Sequence, residues 1–368
     1  MERIQEERQA LYVLSQAEAI GPVSVKAMLR FAGSYEEILQ TPPAAFERAG
    51  ILKGEKKLAA LQAVQDHRAM LTEDMGRLEE QGIRIVTCLD GEYPKRLQNL
   101  QDRPLLLYVK GRLPKEEMPT ASVIGARECS DYGEEVAEFF GRELSARGVQ
   151  IVSGMAYGID SAAGRGGLQG SGESYAVLGT GVNICYPKEN YPLYEKLCAG
   201  QGGVISEFPP GSGALGKHFV MRNRIIAGLG DVLLVIEAKA RSGTSITVEY
   251  ALQQGKDVFA LPGRITDPLG LGCNRLLRDG AIPLTSPSDV LDYFGIGTET
   301  PLEMQLKDTS GLGPELQSIL EQMDTDAMHV EEISERCGLP LRKTVQLLYE
   351  LENRGYVRAA GPAYYSRN

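Results

Sequence analysis

From Pro119 onward the sequence repeats one unit: a short, near-continuous apolar run closing on a small or polar residue, followed by a longer helical pattern. The runs are ASVIG, VQIVSG, SYAVLG, GGVISE, DVLLVIE and DVFALPG. Runs that lack polar alternation call for a sheet covered on both faces. Their alternation with helices calls for parallel order and right-handed crossovers. The predicted fold class is α/β, with a Rossmann-like parallel sheet core over residues 119–294.

The flanks read differently. Residues 1–75 are helical: LYVLSQAEAI is amphipathic, and GPVSVKAMLRF restarts a helix after Gly21, with Pro22 at an early helical position. The pattern matches a SAM-like or helix-hairpin-helix module, in which Lys26 and Arg30 would sit near a DNA phosphate. The segment is acidic, which favours a structural or protein-contacting role. Residues 76–118 form a connector, with a short strand in GIRIVTCLD and extended pieces around Pro94 and Pro104. A linker is expected over 295–313. Residues 314–368 have winged-helix shape: EEISERC, a GLP turn, LRKTVQLLYELENRG, then a two-stranded wing in YVRAAGPAYYS.

Composition removes several function classes. No apolar run approaches the roughly 18 residues of a membrane span, and MERIQEERQALYVL lacks the apolar core of a signal peptide. A cytoplasmic protein is expected. The six cysteines include no CxxC pair and the three histidines are dispersed, so neither a metal site, a disulfide framework nor a cofactor is expected. A net charge of -10 opposes wrapping of nucleic acid by the whole surface. Locally the balance inverts: between Phe208 and Gly230 there is no acid, while Lys217, Arg222 and Arg224 are present.

The loops expected at the carboxyl ends of the strands are glycine-rich: GARECSDYG, SGMAYGIDSAAG, LGTGVNICYP, SEFPPGSG and RSGTSIT. In an open parallel sheet this is the ligand edge, where glycine admits close backbone approach and helix N-termini offer amides to phosphates. Gly125, Gly154, Gly179 and Gly181 are the candidate backbone phosphate positions. Asp131 with Glu134 would cap one helix, and Ser242 to Thr244 would open another. A helix starting at RNRIIAGL puts Arg222 and Arg224 on its first turn, where cations oppose the helix dipole, a placement that suggests an anionic partner. With Lys217 for phosphates and Phe219 for stacking, the segment has the parts that single-stranded nucleic acid needs. The competing possibility is that both arginines pair with carboxylates at the core edge and Phe219 is buried.

Between Tyr93 and Leu291 the ordered motifs YPKRLQNLQDRPLLLYVKG, VIGAR, SGMAYGIDSAA, AVLGTGVNICYP, ISEFPPG, FVMRNRIIAGL, VIEAKARSGTSIT, VFALPG and CNRLLRDGA closely resemble the DNA-processing protein A family (DprA, also called Smf). The flanking modules fit that family's architecture. The resemblance implies a single-stranded DNA-binding protein that protects incoming DNA in natural transformation and loads RecA recombinase. It also implies a homodimer formed through the Rossmann domain. Carried over by position, the DNA site includes Arg127, Lys217, Phe219, Arg222, Asn223 and Arg224, with Arg241, Ser242, Gly243, Thr244, Asn274 and Arg275 on the same edge. The chain departs from the family at Ala126, Tyr157 and Gly164, where Ser, Arg and His are usual. It also lacks the usual Pro at Val220 and the usual Thr at Cys273.

Two rival classes remain. RSGTSITVE echoes the GGxGTxxE loop of nucleotide phosphoribohydrolases, with Glu249 and Arg222 as imaginable participants, but no nucleophile–base set is apparent and no enzyme is expected. A winged-helix reader of duplex DNA would use Arg342, Lys343 and Arg354. The acidic balance of residues 314–368 opposes that role.

Overall fold

The structure is a computed structural model describing residues 2–297, 312–323 and 327–367. It divides into two compact units, Met1–Leu302 and Glu303–Asn368. The predicted linker at 295–313 therefore lies largely outside the described residues.

The first unit opens with helices α1 (Glu2–Ser15), α2 (Pro22–Ala32), α3 (Tyr35–Gln40), α4 (Pro43–Arg48), α5 (Glu55–Asp66) and α6 (Arg68–Glu80). Pro22 occupies the first turn of α2, in agreement with the sequence pattern, because its missing amide proton costs nothing there. The connector holds β1 (Arg84–Thr87), a short helix α7 (Lys95–Gln98) and β2 (Leu106–Gly111). The piece after Pro94 is thus helical rather than extended: Pro94 presets the entry and Lys95–Gln98 make one turn.

The alternating region gives β3 (Thr120–Ile124), α8 (Asp131–Ala146), β4 (Gln150–Ser153), α9 (Ile159–Gly167), β5 (Ser174–Val177), α10 (Tyr191–Cys198), β6 (Gly202–Ser206), α11 (Gly216–Leu229), β7 (Val232–Val235), α12 (Thr244–Gln253), β8 (Asp257–Ala260), α13 (Leu271–Arg278), β9 (Ile282–Pro283) and α14 (Pro287–Tyr293). Among the described residues these strands and the connector form one nine-stranded sheet, ordered β1-β2-β6-β5-β4-β3-β7-β8-β9. From β6 to β9 every pairing is parallel, whereas β2 runs antiparallel to β6 and β1 to β2. The connector is therefore the edge of the core sheet.

The apolar runs are buried on both faces. Ile124, Val152, Leu233 and Val235 meet Ile225, Ile226 and Leu229 of α11 and Val248 of α12. Their neighbours Ala121, Val123, Ile151 and Leu234 meet Val136, Phe140 and Leu144 of α8 and Ala162 of α9. The N-terminal helices share a third cluster with β1 and β2, where Leu11, Leu14, Met28 and Phe46 are buried with Ile85, Leu106 and Tyr108. Tyr35 ties α3 into this cluster: its ring is buried there and its backbone N–H donates to Glu7 of α1. Lys26 and Arg30 are exposed on α2.

The second unit contains α15 (Pro314–Gln322), β10 (Met328–His329), α16 (Val330–Cys337), α17 (Leu341–Asn353), β11 (Val357–Gly361) and β12 (Tyr364–Arg367). Gly338 ends α16 in the left-handed region, at φ 64°, making the turn into α17. The wing has three strands, β10-β12-β11, rather than two, because Met328 and His329 pair with Tyr365 and Tyr364. On α17 the residues Leu341, Val345 and Tyr349 face solvent, Lys343 pairs with Glu315, and Arg354 pairs with Glu350 at 2.5 Å.

Candidate nucleic-acid interface

The strand order fixes where a ligand can go. From β3 the chain adds β4, β5 and β6 on one side, then returns to place β7, β8 and β9 on the other. Loops leaving β3 and β7 therefore diverge, and a crevice opens between them beyond the carboxyl ends. A cleft of about 510 Å³ lies there, lined by Gly125, Ala126, Arg127 and Glu128 after β3, by Lys239 and Ser242–Thr244 after β7, and by Phe219, Arg222 and Asn223 of α11. No side chain caps α12, whose first turn at Thr244 meets the cleft, so its N-terminal amides carry the partial positive charge of the helix end toward it.

Arg127 and Lys239 are exposed at this edge. The guanidinium of Arg127 lies 5.6 Å from the centroid of the half-buried Phe219 ring, and that of Arg222 lies 5.9 Å from it. Lys239 reaches Glu128 at 3.5 Å, an ion pair across the opening in which both partners are more than half exposed. Such an exposed pair is worth under about 1 kcal/mol.

The loop bearing Arg127 is clamped from two sides. Ser130 donates its backbone N–H and its hydroxyl to Glu237, at 2.9 and 2.5 Å, and accepts from the N–H of Gly133 at 3.0 Å. Ser130 is therefore the cap of α8, in place of Asp131 and Glu134, which lie in the first turn behind it. Burial pushes the Glu237 carboxyl above the usual carboxylate range, against the two Ser130 donors. On the other side, Ala126 accepts from the N–H of Ile159 at 3.2 Å.

The arginine triplet does not occupy a helix start. α11 begins at Gly216, so Arg222 and Arg224 lie at its middle and the dipole argument for an anionic partner falls. Each is 3% exposed. Arg222 donates to the carbonyl of Gly154 at 2.8 Å and to that of Val177, satisfying backbone groups at the ends of β4 and β5. Burial pulls its guanidinium down to about 10, so it remains charged at neutral pH, with buried Asp160 nearby supporting the charge. Burial likewise raises Asp160, opposed by Arg222 and by the backbone N–H groups of Ala156 and Gly154. Arg224 is ion-paired with Glu207 at 2.7 Å and Asp102 at 3.0 Å. The competing possibility raised by the sequence thus holds in part: Arg224 pairs with core-edge carboxylates, Arg222 bonds backbone carbonyls instead, Phe219 is only half-buried, and of the two arginines only Arg222 forms part of the cleft wall.

The other expected positions separate. Lys217 is exposed on the first turn of α11, outside the cleft lining. Arg241 and Arg275 line a neighbouring groove with Glu249, which adjoins the cleft along Lys239 and Ser242–Thr244. Asn274 clamps Gly263, donating to its carbonyl at 2.9 Å and accepting from its N–H at 3.1 Å. Of the glycines, Gly125 lines the cleft, while Gly154, Gly179 and Gly181 are buried. A Cβ on Gly154 would stand 2.5 Å from Asp160 Oδ2 and 2.6 Å from the Arg222 guanidinium. One on Gly179 would stand 2.8 Å from the Phe219 ring. These glycines make room for the protein's own side chains. Sequence reasoning misses Lys239, in the loop after β7 within the motif VIEAKARSGTSIT, and the Glu237 clamp in the same stretch.

Among the described residues no helix is long and apolar enough to cross a membrane, and no group of three or more His, Cys, Asp or Glu is placed to hold a metal ion.

Residues 84–295 match the family model described as DNA recombination-mediator protein A, and residues 306–361 match the DprA winged helix domain. Protein Smf of Escherichia coli is 36% identical over 297 residues, covering 79% of each chain. The DNA processing protein DprA of Streptococcus pneumoniae is 45% identical over 208 residues, covering 56% of this chain and 73% of its own. The X-ray structure of the Streptococcus pneumoniae protein superposes with a TM-score of 0.67 at 34% identity, covering 77% of this chain and 97% of that one. A structure titled for the single-stranded DNA binding mode of DNA processing protein A from Helicobacter pylori gives a TM-score of 0.52 at 26% identity, covering 57% of this chain and 95% of that one.

Proposed function

Since the chain belongs to the DNA-processing protein A family, we propose that it binds single-stranded DNA along the carboxyl edge of its parallel sheet and acts there as a recombination mediator. The observation that carries the reading is the joining of exposed Arg127 and Lys239 with the Phe219 ring in one cleft at the switch point. Phosphates meet the two cations and the α12 amides, and a base stacks beside Phe219 and Arg127, the combination that sequence-tolerant binding of single strands uses. Asn223 and Ser242–Thr244 supply polar groups along the wall.

The finer function follows the family resemblance: protection of incoming strands in natural transformation, loading of RecA recombinase onto them, and pairing of two copies through the Rossmann domain. Family membership and the recombination-mediator description of the matched model support it.

The test is fluorescence anisotropy of labelled oligonucleotides, single-stranded beside duplex, against salt, for the wild type and an Arg127→Ala/Lys239→Ala double variant. The expected result is preference for single strands, with weaker binding and a flatter salt slope in the variant. A folded variant with unchanged affinity and slope removes the strand from this cleft. RecA loading is tested separately, by filament nucleation on strands precoated with single-strand-binding protein. Nucleation no faster with this protein than without it overturns that part.

A further inference from the structure

The cleft closes on Phe219, but aromatic surface continues past it. Tyr186, in the loop after β5, has its ring centroid 5.5 Å from that of Phe219, tilted by 47°. Tyr157, in the loop after β4, donates its hydroxyl to Glu189 Oε2 at 2.7 Å. Both rings are 44% exposed although each is held in place by a neighbour. Exposed but anchored aromatic rings are low-entropy contact surface. They lie outside the cleft lining, and the cleft does not need them to be complete.

The charge distribution says which part of a strand would meet them. Arg127 and Lys239 stand on the β3–β7 side. On the side of Tyr157 the exposed carboxylate of Glu189 is offset by the exposed Lys188 beside it, so this side adds no net positive charge and offers a strand mainly its π-faces. A strand crossing this edge with its phosphates toward the cations would turn its bases toward Phe219 and the adjoining Tyr186, with Tyr157 anchored on Glu189 in the loop after β4.

We propose that Tyr186 and Tyr157 form a base-stacking ledge over the loops that follow β4 and β5. The ledge extends the single-stranded track beyond the cleft and engages nucleobases of strands too long for the cleft alone. The proposal rests on the cleft being the DNA site. The ligand class is single-stranded nucleic acid of any sequence, since every base has a π-face.

The experiment measures affinities of wild type, Tyr186→Ala, Tyr186→Phe, Tyr157→Ala and Arg127→Ala for oligothymidylates of increasing length, and for a long strand carrying abasic residues. Tyr186→Ala is expected to weaken binding of long strands by about tenfold, with little effect on the shortest strand that binds and no change in salt slope. Tyr157→Ala is expected to act in the same direction and less strongly. Tyr186→Phe should bind as the wild type does, and on the abasic strand wild type and Tyr186→Ala should become equal. If Tyr186→Ala binds long strands normally while Arg127→Ala is impaired, the ledge is wrong and the cleft stands. A loss that persists on the abasic strand also overturns stacking. If Arg127→Ala binds every strand normally, the cleft and the ledge fall together.

Discussion

Arg222 and Arg127 reach the same cleft and do different work. Arg222 is buried, its guanidinium spent on the carbonyls of Gly154 and Val177 beside buried Asp160. Arg127 is exposed and rests over Phe219, with its loop held by Glu237 through Ser130. One guanidinium closes the ends of two strands; the other is available to a ligand. A basic motif and a basic surface are therefore different things, and burial decides between them: desolvating a charge is tolerable only when fixed partners replace water, and those partners then compete with any ligand.

The largest expected effect belongs to the buried side. Arg222→Ala removes a donor from the Gly154 and Val177 carbonyls and the larger of the two cationic influences on buried Asp160, and should cost about 3–5 kcal/mol. Thermal melting of the unit that holds it should fall by on the order of 10 °C. A variant with unchanged melting that no longer binds single strands would break the contrast, since Arg222 would then be a ligand contact. Arg224→Ala should destabilise similarly by stranding Glu207, whose side chain is 14% exposed in the ion pair. Replacing Glu207 as well should recover part of the loss, a coupling that a double-mutant cycle measures.

On the exposed side, Phe219→Ala should weaken single-strand binding by about tenfold without altering the salt slope, because the ring carries no charge. Arg127→Ala should leave melting unchanged and flatten the slope of log affinity against log salt, by about 0.7 for each phosphate it no longer neutralises. Reversed signatures, with Phe219→Ala moving the slope and Arg127→Ala not, would exchange their roles.

The smallest effect concerns the clamp. The native Glu237 carboxyl titrates above its unfolded value of about 4.3, because burial outweighs the Ser130 donors. The native state thus keeps its proton to higher pH than the unfolded chain. That increment of stability is full below the unfolded value and is lost as pH rises through the native one. Glu237→Gln, neutral throughout, should lack this decline. Urea unfolding of wild type and variant between about pH 4.5 and 8 should show the wild type losing stability relative to the variant as pH rises; parallel profiles would show that the carboxyl is not perturbed.

Much of the fold is legible because its signals are local. The apolar runs, Pro22 at a helix start and Gly338 at a helix end act over a few residues, and the structure follows them. The start of α11 is not legible: GALGKH carries no capping side chain and no helix signal, so RNR reads as the opening turn. The connector escapes for another reason, since pairing with a sheet edge is a long-range property that Ile85 and Leu107 share with any short strand.

By itself the sequence determined the parallel core, the crossovers and the winged helix, and it put glycines and cations at the carboxyl edge of the sheet. Those follow from periodicity and from backbone constraints that each residue carries with it. Only the tertiary structure decided which cations face solvent. Arg222, Arg224 and Asn274 are chemically fit to hold a phosphate, but Gly154, Glu207 and Gly263 reach them first. Lys239, unremarkable in the linear order, is brought to the cleft by the return of the chain to β7, and Phe219, packed over Gly179, carries the ring of Tyr186 beside the cleft's edge. The availability of a charge depends on its desolvation and on its partners, and both are properties of the packed chain.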